Sequence, residues 1–437
     1  MAASTSAEIQ EANESQNREL VLQITHMLDT GVRGTSEPPF SPLSPEFCIY
    51  KVPQDLRKLN DKAYTPMYVS IGPFHRGKKR VETMENLKVK YFKMFLEKAD
   101  LNLEKLVSTI RDGEEKVRRY YAETSTITSD DYVKMILLDA CFIIVAFLIF
   151  YMPTEKGWEC DEEDTILRSN LRHDLSLIEN QLPFFVIDGL FNLAFASYSD
   201  YPTFTWLAFR FFNCYNTQKM SPNPNLKIMH FVDLLRTFFL PQHDKLPKRN
   251  RGQRVEHLYT ASQLHEAGVK FKVNSSKCLF DLKFTNGVLE IPCIQLKNFT
   301  ECFFRNIIAL EQFYYPRDRY VSDYICILNF LIDTTKDVNL LVQKRILVNV
   351  SGDSNTVATL VNNLDKHASV LNTNFDYCRL CEDLNAFYED PWHSRKATLR
   401  RDYFSNPWRT TASIAAIILL VLTLIQTICS IISLPSI

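Results

Sequence analysis

Residues 135–151 read MILLDACFIIVAFLIFY, and this run decides how the chain folds. Apolar side chains occupy nearly every position, so a helix formed here would be hydrophobic on all sides. The run is shorter than the roughly 20 residues that a membrane span requires, and it carries Asp139 near its start. Charged residues flank it closely. The sequence therefore predicts a helix buried in the core of a large folded body.

Apolar residues recur at helical spacing on both sides of this run. The pattern predicts helices at 84–99, 101–122, 167–195, 202–215, 228–239, 301–313, 320–334, 338–343, 355–364 and 377–403. Pro183 should break the third of these helices, because proline restricts the residue before it and removes a backbone donor. Ser354 is a candidate N-cap for the helix at 355–364. The predicted fold class is mainly α, with one large helical body.

In one region the spacing of apolar residues changes from the helical pattern to the alternating pattern of strands. Residues 270–273, 279–284 and 288–294 are strand-like, and Asn286-Gly287 between the last two runs is a strong hairpin signal. The sequence predicts a small antiparallel β-hairpin insert near 270–294. The predicted domain organisation is a disordered N-terminal segment at 1–45, a helical domain at 46–405 and a transmembrane helix at 411–433.

The C-terminal tail supports that last assignment. No charged residue occurs in residues 410–437, and residues 412–432 are almost wholly apolar. A helix of about 20 such residues spans a bilayer core of about 30 Å. Trp408 precedes the run, where an amphipathic ring suits the membrane interface. The alternative is a buried C-terminal helix of a soluble protein.

Charge predicts the orientation of this anchor. Lys396, Arg400, Arg401 and Arg409 precede the apolar run, and positive residues stay on the cytosolic side. The N-terminus lacks the basic and apolar segments of a signal peptide, and 11 scattered cysteines suit a reducing compartment. We expect a single-pass protein of the plasma membrane or endomembranes with a cytosolic body. The Asn-x-Ser/Thr triplets at Asn13, Asn274, Asn298 and Asn349 would then remain unmodified.

Composition excludes several function classes. Net charge is −1, so no global field favours nucleic acid. Only 11 of 437 residues are glycine, and neither GxGxxG nor GxxxxGK[ST] occurs, which disfavours those two kinds of nucleotide site. We predict no cofactor. Cys378 and Cys381 form one CxxC, but a zinc site needs further ligands, and two cysteines on one helix face is the simpler interpretation.

The densest polar cluster in the helical body lies at the break before Pro183. It consists of five residues: His173, Asp174, Glu179, Asn180 and Gln181. Two interpretations remain open. The cluster could be a binding or catalytic site, or residues 179–181 could bond backbone groups left free where the helix breaks. The second interpretation is favoured. His75 lies in a Gly-Pro turn and is likewise expected to have a packing role rather than a catalytic one. No catalytic residues are predicted.

Taken together, the motifs resemble one family, the plant proteins called domain of unknown function 247 (DUF247). The segments that carry the resemblance, in order along the chain, are 52–57 (VPQDLR), 64–75 (YTPMYVSIGPFH), 84–88 (MENLK), 138–142 (LDACF), 173–185 (HDLSLIENQLPFF), 261–271 (ASQLHEAGVKF), 287–292 (GVLEIP), 300–306 (TECFFRN), 309–312 (ALEQ) and 403–408 (YFSNPW). The resemblance implies a single-pass plant membrane protein without an established enzymatic activity. Some grass members are implicated in self-incompatibility, which suggests recognition or signalling. Ala140 and Leu310 depart from the usual Gly and Phe.

Two functions from different classes follow. The first is a membrane-anchored protein-interaction module, which fits the tail and the lack of a catalytic constellation. The second is an undetected hydrolase-like enzyme with a polar site around His173 and Glu179, which would require an acid–base pair within hydrogen-bond reach in a pocket. Expected partners are the lipid bilayer and unidentified proteins, with no nucleic acid. Ala412, Ala415 and Ala416 offer a small-residue face through which the apolar helix could pair with a second copy.

Overall fold

A computed structural model describes residues 47–78, 81–99, 101–123, 126–152, 158, 162–195, 197–198, 200–241, 246, 254–296, 299–349, 353–365, 373–393 and 407–432. The predicted disordered segment at 1–45 lies outside these residues. The helices are α1 (Gln54–Arg57), a 3-10 turn (Asp61–Tyr64), α2 (Thr83–Lys98), α3 (Leu103–Arg119), α4 (Ser129–Tyr151), α5 (Glu162–Asp174), α6 (Phe184–Phe195), α7 (Phe204–Phe211), α8 (Phe231–Phe239), α9 (Ala261–Glu266), α10 (Thr300–Phe313), α11 (Tyr320–Leu331), α12 (Thr335–Gln343), α13 (Ser354–Asp365), α14 (Phe375–Glu389) and α15 (Pro407–Ile432). The fold is mainly helical, as predicted.

Helix α4 is the centre of the core, which confirms the interpretation of residues 135–151. Thr128 caps its first turn by accepting the Asp131 N–H, and α2, α3, α6 and α7 pack around it. Among the described residues, α4 is the helix long and apolar enough to cross a membrane, but 83% of its most apolar window is buried. Phe147 stacks on Phe211 at 4.2 Å between ring centroids. Buried aromatic pairs of this kind add stabilisation beyond their buried area.

The strands form two small sheets. They are β1 (Lys270–Asn274), β2 (Lys283–Thr285), β3 (Val288–Pro292), β4 (Ile294–Leu296) and β5 (Leu347–Asn349). The predicted hairpin exists as antiparallel β2 and β3, and its turn places Asn286 and Gly287 at φ 52° and 73°, a conformation that Asn and Gly tolerate.

The prediction of a purely antiparallel insert was wrong. Strand β1 pairs with β3 in parallel, and β4 pairs with β5 in parallel. Residues 279–282 lie outside any strand. Local alternation cannot reveal a parallel partner that arrives from elsewhere in the chain.

Helix breaks also differ in detail from the sequence pattern. Residues 175–183 separate α5 from α6, so the predicted interruption is real and longer than a kink. Helix α14 ends at Glu389, residues 391–393 are helical again after one non-helical residue, and the rest of the predicted helix to residue 403 lies outside the described residues. The prediction of Ser354 as the cap of α13 was wrong, because the Asp353 side chain accepts the N–H groups of Asn355 and Thr356.

The C-terminal apolar segment forms helix α15. The part whose side chains are described and apolar, Ile414–Cys429, is shorter than the roughly 20 residues needed to span a bilayer. The structure therefore establishes a helix here without establishing a transmembrane helix at 411–433.

Candidate functional site

The predicted polar cluster lies where two stretches with little secondary structure meet. We call residues 47–78 the N-terminal arm and residues 173–183 the acceptor loop. The arm holds only α1 and one 3-10 turn, so most of its backbone N–H groups need partners from elsewhere. A buried N–H without a partner costs free energy comparable to a lost hydrogen bond. The side chains of the acceptor loop supply many of those partners.

Asp174 binds three consecutive backbone groups of the arm. Its carboxylate accepts the N–H of Met67 at 2.9 Å, of Tyr68 at 2.7 Å and of Val69 at 2.8 Å. The side chain is fully buried, so these charge-assisted bonds replace its lost hydration. His173 Nδ1 lies 3.0 Å from the same carboxylate. Asp174 thereby holds the middle of the arm against the body.

Glu179 binds the beginning of the arm. Its Oε1 accepts the Val52 N–H at 2.6 Å, and its Oε2 accepts a hydrogen bond from the Arg57 guanidinium. His75 Nε2 lies 3.0 Å from that Oε2, without hydrogen-bond alignment. The other ring nitrogen, Nδ1, lies 2.8 Å from Lys78 Nζ, which can only donate. A neutral His75 therefore carries its proton on Nε2, facing the carboxylate.

Asn180 and Gln181 bind backbone groups of the break and also of segments distant in sequence. Asn180 Nδ2 donates to the Asp174 carbonyl at 3.1 Å, and its Oδ1 accepts the arm's Ile71 N–H at 2.7 Å. Gln181 Nε2 donates to the carbonyls of Leu175 and Leu177 at 2.7 and 2.8 Å. The predicted local bonding is confirmed for Gln181 Nε2 and for one hydrogen bond of Asn180, whose amide also donates to the arm's Val69 carbonyl at 3.0 Å.

The prediction of local bonding was wrong for Glu179, whose contacts are with the distant arm. The hydrogen bond from Val52 joins residues 127 positions apart in sequence. Glu179 therefore connects two separate parts of the chain instead of capping a broken helix.

A buried ion pair extends the cluster to α4. Lys88 Nζ lies 2.6 Å from Asp139 Oδ1 and donates to the Ser70 carbonyl at 2.5 Å. The other carboxylate oxygen of Asp139 accepts the Gly72 N–H at 2.8 Å. Burial disfavours the Lys88 ammonium, but the carboxylates of Asp139 and Glu85 outweigh it and raise the pKa of Lys88. Sequence reasoning missed this pair, although a lone carboxylate in an apolar run signals a buried partner.

Glycine is required where the arm crosses the acceptor loop. Gly72 has φ +73°, and a Cβ there would lie 2.7 Å from the Gln181 carbonyl oxygen and 2.9 Å from the Tyr121 hydroxyl. Real Cβ atoms do not approach a carbonyl that closely. The Tyr121 hydroxyl donates to the same carbonyl at 2.9 Å, so the crossing is tightly packed.

The cluster contains an acid–base pair, His75 and Glu179, that is buried. His75 and Glu179 are each 1% exposed, and their neighbours already occupy the carboxylate. His173 instead contacts Asp174 and the ring of Phe299. In the part of the chain that the structure describes, two cavities, of about 430 and 300 Å³, are lined by residues outside this cluster. The arrangement holds the arm against the body.

The cysteines do not assemble a metal site within the described ranges. No group of three or more His, Cys, Asp or Glu side chains there could hold an ion, and all ten described cysteines are free thiols. Cys378 and Cys381 are both buried on α14, as expected for two cysteines on one helix face. The CxxC therefore packs in the core.

His230 makes the cluster sensitive to pH. Its Nδ1 accepts the Asp233 N–H, and its Nε2 lies 3.0 Å from the Cys48 carbonyl, so the neutral ring satisfies both nitrogens. Burial lowers the pKa of His230 to about 4. Because the folded pKa lies below the unfolded value of about 6.5, the contribution to stability is complete above pH 6.5 and is lost as pH falls through 4.

We therefore expect about 3 kcal/mol of pH-dependent stability from His230, at 1.36 kcal/mol per pKa unit. Urea unfolding between pH 7 and pH 4 should show a shallower loss of stability for His230→Gln than for the parent. His257→Gln, at an exposed histidine, serves as the control and should keep the parental slope. Parallel pH profiles for the parent and His230→Gln would contradict this assignment.

The architecture defines a class of helical proteins in which an extended N-terminal arm is fastened to the body by buried carboxylates and amides. The chain belongs to the family DUF247, described as plant protein of unknown function, whose profile matches residues 49–422. The match includes nearly all of the arm, the acceptor loop and about half of the apolar C-terminal run.

Two curated relatives from Arabidopsis thaliana are similar to this chain. The UPF0481 protein At3g47200 is 28% identical over 415 residues, which cover 88% of this chain and 86% of the relative. A second UPF0481 protein, At3g02645, is 30% identical over 171 residues, covering 38% of this chain and 32% of the relative. No solved structure matches this chain significantly.

Proposed function

We propose that this protein is a membrane-anchored interaction module, in which α15 inserts into a bilayer and the helical body binds another protein. The observation that carries the anchor is the exposure of α15. Leu420 is 70% exposed and Leu424 is 63% exposed, and none of the residues between 414 and 429 is buried. Leaving so many large apolar side chains in water is costly, at about 25 cal/mol per Å² of apolar surface. A lipid environment removes that cost.

The basic residues before α15 support a cytosolic body. Lys396, Arg400, Arg401 and Arg409 precede the apolar run, and no charged residue follows it. Positive residues adjacent to a span remain on the cytosolic side. The free thiols of the described cysteines fit the reducing environment of that compartment.

An interaction role accounts for the body better than catalysis does. A general acid or base must reach a substrate within hydrogen-bond distance, directly or through one water. The buried cluster instead directs its carboxylates at backbone groups of the arm. The hydrogen bonds between the arm and the helical body give a pre-formed surface, which suits recognition of a partner.

Deleting residues 411–437 should move the protein from the membrane fraction to the soluble fraction. A single apolar helix gives effectively irreversible insertion, so the parent should resist carbonate extraction and the truncated protein should not. Deleting residues 1–35 is the matched control and should leave the protein in membranes. A truncated protein that still resists extraction would contradict the proposal and indicate α4 as the inserting segment.

A further inference from the structure

Helix α15 carries a single side-chain amide within its apolar run. Gln426 lies four residues past Leu422, the midpoint of residues 412–432, which is about 6 Å along the helix at 1.5 Å per residue. In a bilayer whose hydrocarbon core is about 30 Å thick, this position is well inside the lipid. Because no water is available there, the amide needs a hydrogen-bond partner from protein.

The two threonines beside this amide are satisfied by their own helix. Thr423 Oγ1 donates to the Leu419 carbonyl at 2.8 Å, and Thr427 Oγ1 donates to the Thr423 carbonyl at 2.8 Å. Gln426 is exposed and makes no such bond within the described part of the chain. Its two N–H donors and its carbonyl acceptor therefore remain available to a neighbouring helix.

Gln426 belongs to a line of exposed side chains along one face of α15. Ala415, Leu419 and Leu422 lie 11, 7 and 4 residues before it, which places each within about 40° of Gln426 around the helix axis. This alternation of four-residue and three-residue steps is the spacing at which one helix packs along another. We call these four residues the α15 seam.

The chemistry of the α15 seam identifies a second copy of this chain as its occupant. Residues 410–437 carry no charge, so nothing in the apolar run selects an oppositely charged helix of a different protein. A carboxamide is both a donor and an acceptor, so the same amide on an identical helix complements it. Two copies anchored with the same orientation bring Gln426 to the same depth, and a two-fold axis between them pairs each amide with the other.

We propose that two copies of this chain associate in parallel through α15, with their Gln426 amides hydrogen-bonded to each other inside the bilayer. This inference rests on the proposed anchoring of α15 and names the partner of that helix. The two helical bodies are then held side by side at the membrane. A partner protein with two matching sites would bind such a pair more tightly than it binds one body.

Sedimentation equilibrium of the full-length protein in density-matched detergent micelles measures this association. The parent should form dimers, and Gln426→Leu should raise the dissociation constant about tenfold, because the interhelical hydrogen bonds are lost while the apolar contacts remain. Gln426→Asn keeps the carboxamide and should retain most of the affinity. Thr427→Val is the matched control, since it removes a neighbouring hydroxyl that bonds within its own helix, and it should leave the dissociation constant unchanged.

Cys429 tests the parallel arrangement in the native membrane. It is an exposed free thiol three residues, or about one turn, after Gln426. Copper phenanthroline and oxygen should oxidise two such thiols to a disulfide that joins the copies. The cross-linked dimer should be absent from Cys429→Ser and reduced in Gln426→Leu. Cys214→Ser, at an exposed thiol of the body, should cross-link like the parent.

A monomeric parent in micelles would overturn the inference. So would an unchanged dissociation constant for Gln426→Leu, equal weakening by Thr427→Val, or a cross-link that survives Cys429→Ser. Carbonate extraction separates this result from the proposed anchor, because Gln426→Leu should resist extraction like the parent. If the parent resists extraction but is monomeric, the anchor stands and only the pairing falls; if the parent is extracted, both fall.

Discussion

Replacing Asp174 by alanine should lower the free energy of unfolding by at least about 4 kcal/mol. Three backbone N–H groups, of Met67, Tyr68 and Val69, would lose one buried acceptor. Hydrogen bonds to a charged group contribute about 1.5–3 kcal/mol each, and their losses at one side chain are not fully additive. Since whole proteins are stable by only about 5–15 kcal/mol, the variant should accumulate poorly. Urea unfolding followed by circular dichroism measures the effect.

Hydrogen exchange would locate the damage from this substitution. The amides of residues 67–69 should exchange faster, because the arm detaches before the body unfolds. Asp112→Ala, at an exposed aspartate of α3, is the control and should change stability by less than about 0.5 kcal/mol. If Asp174→Ala were as stable as this control, the carboxylate would not be what fastens the arm.

Glu179→Ala is expected to cost about 3–5 kcal/mol. It would leave the Arg57 guanidinium without its buried carboxylate, and breaking a buried pair by removing one partner is strongly destabilising. The Val52 N–H would lose its acceptor as well. The melting temperature of the protein and its steady-state level in cells should both fall. A loss of stability of this size reduces abundance several-fold.

The same variant separates the structural role of Glu179 from the enzyme hypothesis. Gln181→Ala is the companion, because it removes only neutral hydrogen bonds, to the carbonyls of Leu175 and Leu177 and from the Phe231 N–H, and should destabilise less. If Glu179→Ala melted like the parent, accumulated normally and lost only partner capture or a hydrolytic activity, the cluster would be a functional site. Loss of stability in both variants, larger for Glu179→Ala, would identify the role of the cluster as structural.

Several features of the cluster could be predicted from the amino-acid sequence alone. The Pro183 break, the concentration of polar residues beside it and their bonding to backbone groups all follow from local rules for proline and buried amides. The pairing of Lys88 with Asp139 could not be predicted, because one residue lies on α2 and the other on α4. Helix periodicity locates each residue on its own helix and says nothing about which helices pack together.

The two sheets likewise combine a feature that the sequence predicted with features that it did not. The Asn286-Gly287 hairpin was evident from two residues whose backbone conformation is unusual. The parallel partners β1 and β5 were not evident, because a parallel pair joins segments separated by a long connection.

The amino-acid sequence by itself determined the helical class, the burial of α4 and the apolar character of α15, because these depend on the type and spacing of neighbouring side chains. Only the tertiary structure decided that Asp174 and Glu179 hold the N-terminal arm. Their partners lie 107 and 127 positions away at Met67 and Val52. A carboxylate in a sequence has many possible donors, and only the packing of the whole chain places particular N–H groups within 3 Å of it.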